Sequence, residues 1–98
     1  MFPRTKGDTA YPPILTCLAD DEPVNLSGST VTLRMEAGDT VKTPSFTLSD
    51  QVTNRGELVP DFAPGDVDTV GNWALLVLVV FPNGMRATFR GPYLPIIG

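Results

Sequence analysis

The sequence predicts an all-β protein, a single immunoglobulin-like β-sandwich of about seven strands, and three observations carry that expectation. Thr30 to Glu36 alternates apolar and polar residues with a period of two, as a strand with one buried face does. Asn83-Gly84 stands between two apolar runs, and both residue types tolerate the positive φ angles of a tight hairpin. Turn signals recur roughly every 8–12 residues along the chain, the spacing of a sandwich built from short strands.

The elements follow in order. Pro12-Pro13 leads into a first strand, Ile14 to Ala19, because proline has no N–H to give to a central ladder. Asp20-Asp21-Glu22-Pro23 is a turn and Val24-Asn25-Leu26 a short extended piece. In Thr30–Glu36, Val31, Leu33 and Met35 face inward, and Thr32, Arg34 and Glu36 outward. Gly38-Asp39 turns the chain into Val41–Leu48, with Phe46 and Leu48 toward the core. Pro44 makes this an edge strand or a bulged one. Asn54-Arg55-Gly56 turns into the strand Glu57–Phe62, and 63–71 forms a crossing loop with room for one helical turn.

Asn72 to Phe81 is the strongest strand and is apolar on both faces. Trp73, Leu75, Val77, Val79 and Phe81 are assigned to the core. Ala74, Leu76, Leu78 and Val80 then point the other way, where an isolated sandwich exposes them to water. After the Pro82-Asn83-Gly84 turn, Met85–Arg90 runs back, and Tyr93–Ile97 closes the fold. The expected organisation is an extended amino-terminal arm, residues 1–11, and one domain, residues 12–98.

Composition narrows the function. Seven Lys and Arg against eleven Asp and Glu give a net charge of −4. The cations are scattered, which disfavours nucleic acid and an anionic membrane surface as partners. Met1 to Asp8 contains no apolar signal-peptide core, and the run Trp73–Phe81 is too short for a membrane-crossing helix. A soluble protein folded in the cytosol is expected. Cys17 is the one cysteine, so no intrachain disulfide forms, and its apolar surroundings mark it as a buried thiol.

Catalysis is not expected. The chain has no histidine, which removes the commonest general base and every Ser-His or Cys-His arrangement. No glycine-rich phosphate loop follows a strand. Asp20, Asp21 and Glu22, and Asp66 with Asp68, are the groups able to approach a calcium ion. They lack the periodic ligand spacing of a calcium loop, and Asp in such places supports turns. No metal or cofactor is assigned. Trp73 is read as a core anchor in preference to a sugar-stacking platform.

The order of short motifs adds a resemblance. Lys6-Gly7-Asp8-Thr9 is followed by Pro23-Val24-Asn25-Leu26-Ser27-Gly28, Val31-Thr32-Leu33-Arg34-Met35 and Asn54-Arg55-Gly56-Glu57-Leu58. Val70-Gly71-Asn72-Trp73-Ala74, Phe81-Pro82-Asn83-Gly84-Met85 and Gly91-Pro92-Tyr93 complete the series. Over almost its whole length the chain resembles the amino-terminal domain of phage baseplate upper proteins and related Ig-like modules of tail and capsid proteins. Trp73 stands where that family usually has Tyr, and the turn after Ala19 lacks its usual Gly.

The resemblance implies a non-enzymatic structural protein of a tailed-phage virion, made in the bacterial host cytoplasm. An oligomerising tail or baseplate adaptor, or a decoration protein docking on capsid or tail, fits a chain that ends directly after its last strand. Its partners are then other phage structural proteins and further copies of itself, with no nucleic acid and no membrane. The alternative is an Ig-like carbohydrate- or cell-surface-binding module. That class calls for several aromatics on one exposed face or a secretion signal. Leu76, Leu78 and Val80 are the candidate protein interface, since contiguous exposed apolar rows mark interaction sites. Phe2 and Tyr11, from the arm, either join that interface or fold back across the row.

Overall fold

The structure, a computed structural model, describes residues 4–10 and 12–98. Among the described residues ten strands form in chain order: β1 (Arg4–Thr5), β2 (Leu15–Thr16), β3 (Leu18–Ala19), β4 (Glu22–Pro23), β5 (Thr30–Ala37), β6 (Thr40–Lys42), β7 (Ser45–Leu48), β8 (Glu57–Asp61), β9 (Gly71–Val80) and β10 (Arg86–Ile97). A single 3₁₀ turn, Pro64–Asp66, interrupts the crossing loop.

One sheet has five strands in the order β1-β10-β9-β5-β6, a second has three in the order β2-β8-β7, and β3-β4 is a separate hairpin. All pairings are antiparallel except β1 with β10, which is parallel. The expected all-β, sandwich-like architecture is present.

The core lies between the two larger sheets. Alternate residues of β9 (Trp73, Leu75, Val77 and Val79) are buried, as are Leu33 and Met35 of β5 and Leu94 and Ile96 of β10. Leu15 and Leu58 reach the same cluster from the three-stranded sheet, and Leu26, Phe62 and Val67 seal it from the loops. Val31, Phe46 and Phe81 pack against it, half-buried. The inward faces expected for Thr30–Glu36 and Asn72–Phe81 are those observed. Burial of this apolar surface is the main driving force for folding.

Several boundaries differ from the expectation, each for a reason of pairing. The expected strand Ile14–Ala19 divides at Cys17: β2 pairs with β8, and β3 pairs with β4. Ile14 and Leu18 are consequently exposed. Val24–Leu26, expected as a short extended piece, joins no sheet, and Leu26 enters the core from it. The expected strand Val41–Leu48 changes sheets at the buried Pro44, so β6 and β7 are edge strands of different sheets. Leu48 lies at the end of that edge strand, 36% exposed, and does not face the core as expected.

The two expected carboxy-terminal strands are one. β10 follows β9 from Arg86 to Ile96, with a register shift between Arg90 and Tyr93. A bulge there inserts Gly91-Pro92 and re-aims the strand, and an added Cβ on Gly91 would lie 3.3 Å from the Leu75 backbone oxygen. The amino-terminal segment is tied down where it is described. Arg4 and Thr5 pair with Ile96 and Ile97. The Lys6 N–H donates to the Ile97 carbonyl (2.6 Å), and the Gly7 N–H to that of Val67 (2.7 Å).

Buried polar order comes from a residue that composition does not flag. Gln51 is 8% exposed. Its Oε1 accepts from the Leu26 N–H (3.1 Å) and the Gly56 N–H (2.8 Å). Its Nε2 donates to the carbonyls of Ser49 (2.9 Å) and Glu57 (3.2 Å). One amide thus satisfies four backbone groups from two loops. Replacing Gln51 with Leu removes the partner of the Leu26 and Gly56 N–H groups, while the Glu57 carbonyl keeps the Ser49 N–H (3.1 Å), and unpaired buried polar atoms cost roughly 1–3 kcal/mol each, less whatever water recovers. A loss of about 2–3 kcal/mol is expected from urea unfolding of Gln51→Leu. A loss below ~0.5 kcal/mol would show that solvent replaces the amide freely.

Candidate partner-binding surface

The outward face of the five-stranded sheet is set by the register of β5, β9 and β10. Leu76 lies between Arg34 and Arg90, Leu78 between Thr32 and Thr88, and Val80 between Thr30 and Arg86. This gradient of neighbours decides exposure. Leu76 is only 6% exposed, because the methylene stems of long basic side chains cover apolar neighbours while their charged ends stay in water. Threonines are too short to do so, and Leu78 is half-buried. Val80, at the strand end, is 36% exposed.

The expectation that Leu76 stands in water is therefore corrected. What remains accessible is Leu78 and Val80, a strip one residue wide bordered by threonine and arginine. Phe2 and Tyr11 lie outside the described residues. Tyr93, opposite Ala74, is 62% exposed beyond the bulge.

The carboxylates have structural employment. Asp20 (φ 52°) and Asp21 (φ 65°) are the two central residues of the β3-β4 hairpin, where Ala19 pairs with Glu22. Positive φ at both positions is the primed turn geometry that short polar residues tolerate without glycine. The Asp66 carboxylate accepts the Ala63 N–H (2.8 Å) and closes the 3₁₀ turn. Asp68 accepts from Lys42 Nζ (2.7 Å) and from the Thr69 hydroxyl (2.9 Å). The Lys42 hydrogen bond, then that from Thr69, holds the Asp68 carboxyl below its ordinary range. Among the described residues no three acidic or cysteine side chains converge as metal ligands do.

Lys42 is the organiser that sequence reading missed. Its ammonium also donates to the Gly65 carbonyl (2.7 Å) and lies 5.2 Å from the Trp73 ring centroid. Trp73 in turn donates from Nε1 to the Thr69 carbonyl (3.0 Å). Trp73 is 1% exposed, so its ring is closed to a sugar. Cys17, equally buried, has its thiol pushed up to about 11 by burial, which leaves it protonated and unreactive at neutral pH.

A cleft of about 140 Å³ opens between the edges of the two sheets, where β2 faces β10. Leu15, Cys17, Val77 and Phe89 contribute apolar walls, and Arg90 and Pro92 complete it. It is small against the ~300–1,000 Å³ of ordinary ligand pockets, and fits one side chain. The molecule thus belongs to the class of all-β, sandwich-like folds. No known protein family, curated protein or solved structure matches the chain.

Proposed function

We propose that this chain is a non-enzymatic, immunoglobulin-like structural component of a tailed-phage virion, serving as a tail or baseplate adaptor or as a decoration protein. The observation that carries the reading is the ordered series of turn and strand motifs, from Lys6-Gly7-Asp8-Thr9 to Gly91-Pro92-Tyr93. Strand order supports the Ig-like part: a first strand parallel to the last, a β9-β10 hairpin in one sheet, and β2-β8-β7 in the other. The surface supports a docking role, since Leu78 and Val80 on the sheet face and Tyr93 beyond the bulge offer apolar contact bordered by polar residues.

Mass spectrometry of purified particles from cells expressing the gene in its native setting tests the assignment. The chain is expected in stoichiometric amounts with tail or capsid proteins. Leu78→Ser with Val80→Ser is expected to lower incorporation at least about tenfold, the loss of roughly 1.4 kcal/mol or more of contact free energy, while the isolated domain stays folded. A chain absent from particles would sink the virion reading, and normal occupancy of the double variant would remove this face from the interface.

A further inference from the structure

β10 has a neighbour on one side for most of its length. β9 follows it from Arg86 to Ile96, whereas β1 reaches its other side only at Ile96 and Ile97. Among the described residues, no strand pairs with the outward backbone groups of 86–93, and β2 approaches them only across the cleft. Open edges of this kind template pairing with another chain. β2 is an edge strand as well, and the cleft walled by Leu15, Cys17, Val77 and Phe89 lies between the two edges.

Charge says what docks there. Arg86 and Arg90 are exposed on the outer face of β10, and neither has an ion pair among the described residues. Arg34 and Lys42, by contrast, are held by Glu36 and Asp68. The complementary charge is on the β3-β4 hairpin, where Asp20, Asp21 and Glu22 follow one another. Every residue from Leu18 to Pro23 is exposed, and a two-stranded hairpin with no buried face is marginal alone in water. It also carries an apolar side chain, Leu18, at 49% exposure.

We propose that a second copy of this chain docks its β3-β4 hairpin on the open β10 edge, setting its carboxylates at Arg86 and Arg90 and Leu18 over the cleft. The simpler symmetric arrangement, β10 against β10 about Thr88, sets Arg86 opposite Arg90 and is opposed by like charge. The hairpin begins one residue after Cys17, which lines the cleft, so a two-fold pair satisfies donor and acceptor in both copies at once. This self-association stands apart from the virion reading and is measured on the isolated protein.

Sedimentation equilibrium of the full chain tests it, with circular dichroism and Trp73 fluorescence as controls for folding. The wild type is expected to associate reversibly, about tenfold more weakly when salt rises from about 0.05 M to about 0.5 M, as charge-steered contacts do. Arg86→Glu with Arg90→Glu, and separately Asp20→Asn, Asp21→Asn and Glu22→Lys, are each expected to be folded monomers. Asparagine keeps the positive-φ turn intact. Mixing the two variants is expected to restore association, because an intact hairpin then meets an intact edge. A wild type monomeric at hundreds of micromolar overturns the proposal. So does an edge variant that associates like the wild type, or a mixture that stays monomeric.

Discussion

Replacing Gly56 with Ala is expected to cost at least about 3 kcal/mol, from left-handed strain combined with a clash against fixed backbone. Gly56 has a φ of +80°, and a Cβ placed on it would stand 2.7 Å from the Cys17 carbonyl oxygen. The Val24 N and O are each 3.1 Å away. These neighbours cannot retreat freely. The Cys17 N–H donates to the Gly56 carbonyl (2.8 Å), and the Val24 N–H donates to the Cys17 carbonyl (2.9 Å).

The Gly56 N–H is meanwhile held by Gln51, so the added methyl group disturbs the junction where β2, β3 and β8 meet. Gly38→Ala separates the two contributions. Gly38 also has positive φ (+58°) but nothing within 4 Å of its virtual Cβ, so only the backbone cost of about 1–2 kcal/mol applies. Urea unfolding midpoints at equal slope provide the comparison. Equal losses in the two variants would mean that the contact at Cys17 relaxes without cost.

Trp73→Ala is expected to destabilise by about 3–5 kcal/mol, the range for truncating a large buried aromatic. For a domain of this size that corresponds to a fall in Tm on the order of 15 °C or more. The ring is buried in the core near the start of β9, and its loss also frees the Thr69 carbonyl and removes the surface under Lys42. Trp73→Phe keeps most of the packing and forfeits the Nε1 hydrogen bond, so a smaller loss of about 1–2 kcal/mol is expected. Differential scanning calorimetry measures both. A Trp73→Ala melting temperature within a few degrees of wild type would show that the core does not depend on this residue.

Much of the fold was legible because it is written in local pattern. The period-two runs of Thr30–Glu36 and Trp73–Phe81 name their buried faces without reference to partners, and Asn83-Gly84 names its turn. Residues whose role is set by partners distant in the chain were not legible. Nothing near Pro44 says that the chain changes sheets there, because a strand's neighbour is a tertiary fact. Leu76 reads as exposed until Arg34 and Arg90 are set beside it by register. Gln51, in a polar stretch between Asp50 and Val52, looks like any solvated loop residue. Only the convergence of Leu26, Ser49, Gly56 and Glu57 makes it central. Of the candidate interface, the outward placement of Leu78 and Val80 was legible from alternation alone. The open edge at Arg86–Arg90 was not, since an edge is defined by which strand fails to arrive.

The parallel pairing of β1 with β10 has a mechanical consequence. Tension applied through the two ends of the chain pulls Arg4 and Gly98 in opposite directions along adjacent, co-directional strands. The Lys6–Ile97 hydrogen bond and the β1–β10 pairs are then loaded side by side, in shear, and must break together. An antiparallel pair pulled from neighbouring ends would unzip one bond at a time. Force-extension measurement through the termini should therefore record a single rupture before the sandwich opens. Gradual release at low force would show that the clasp bears no tension.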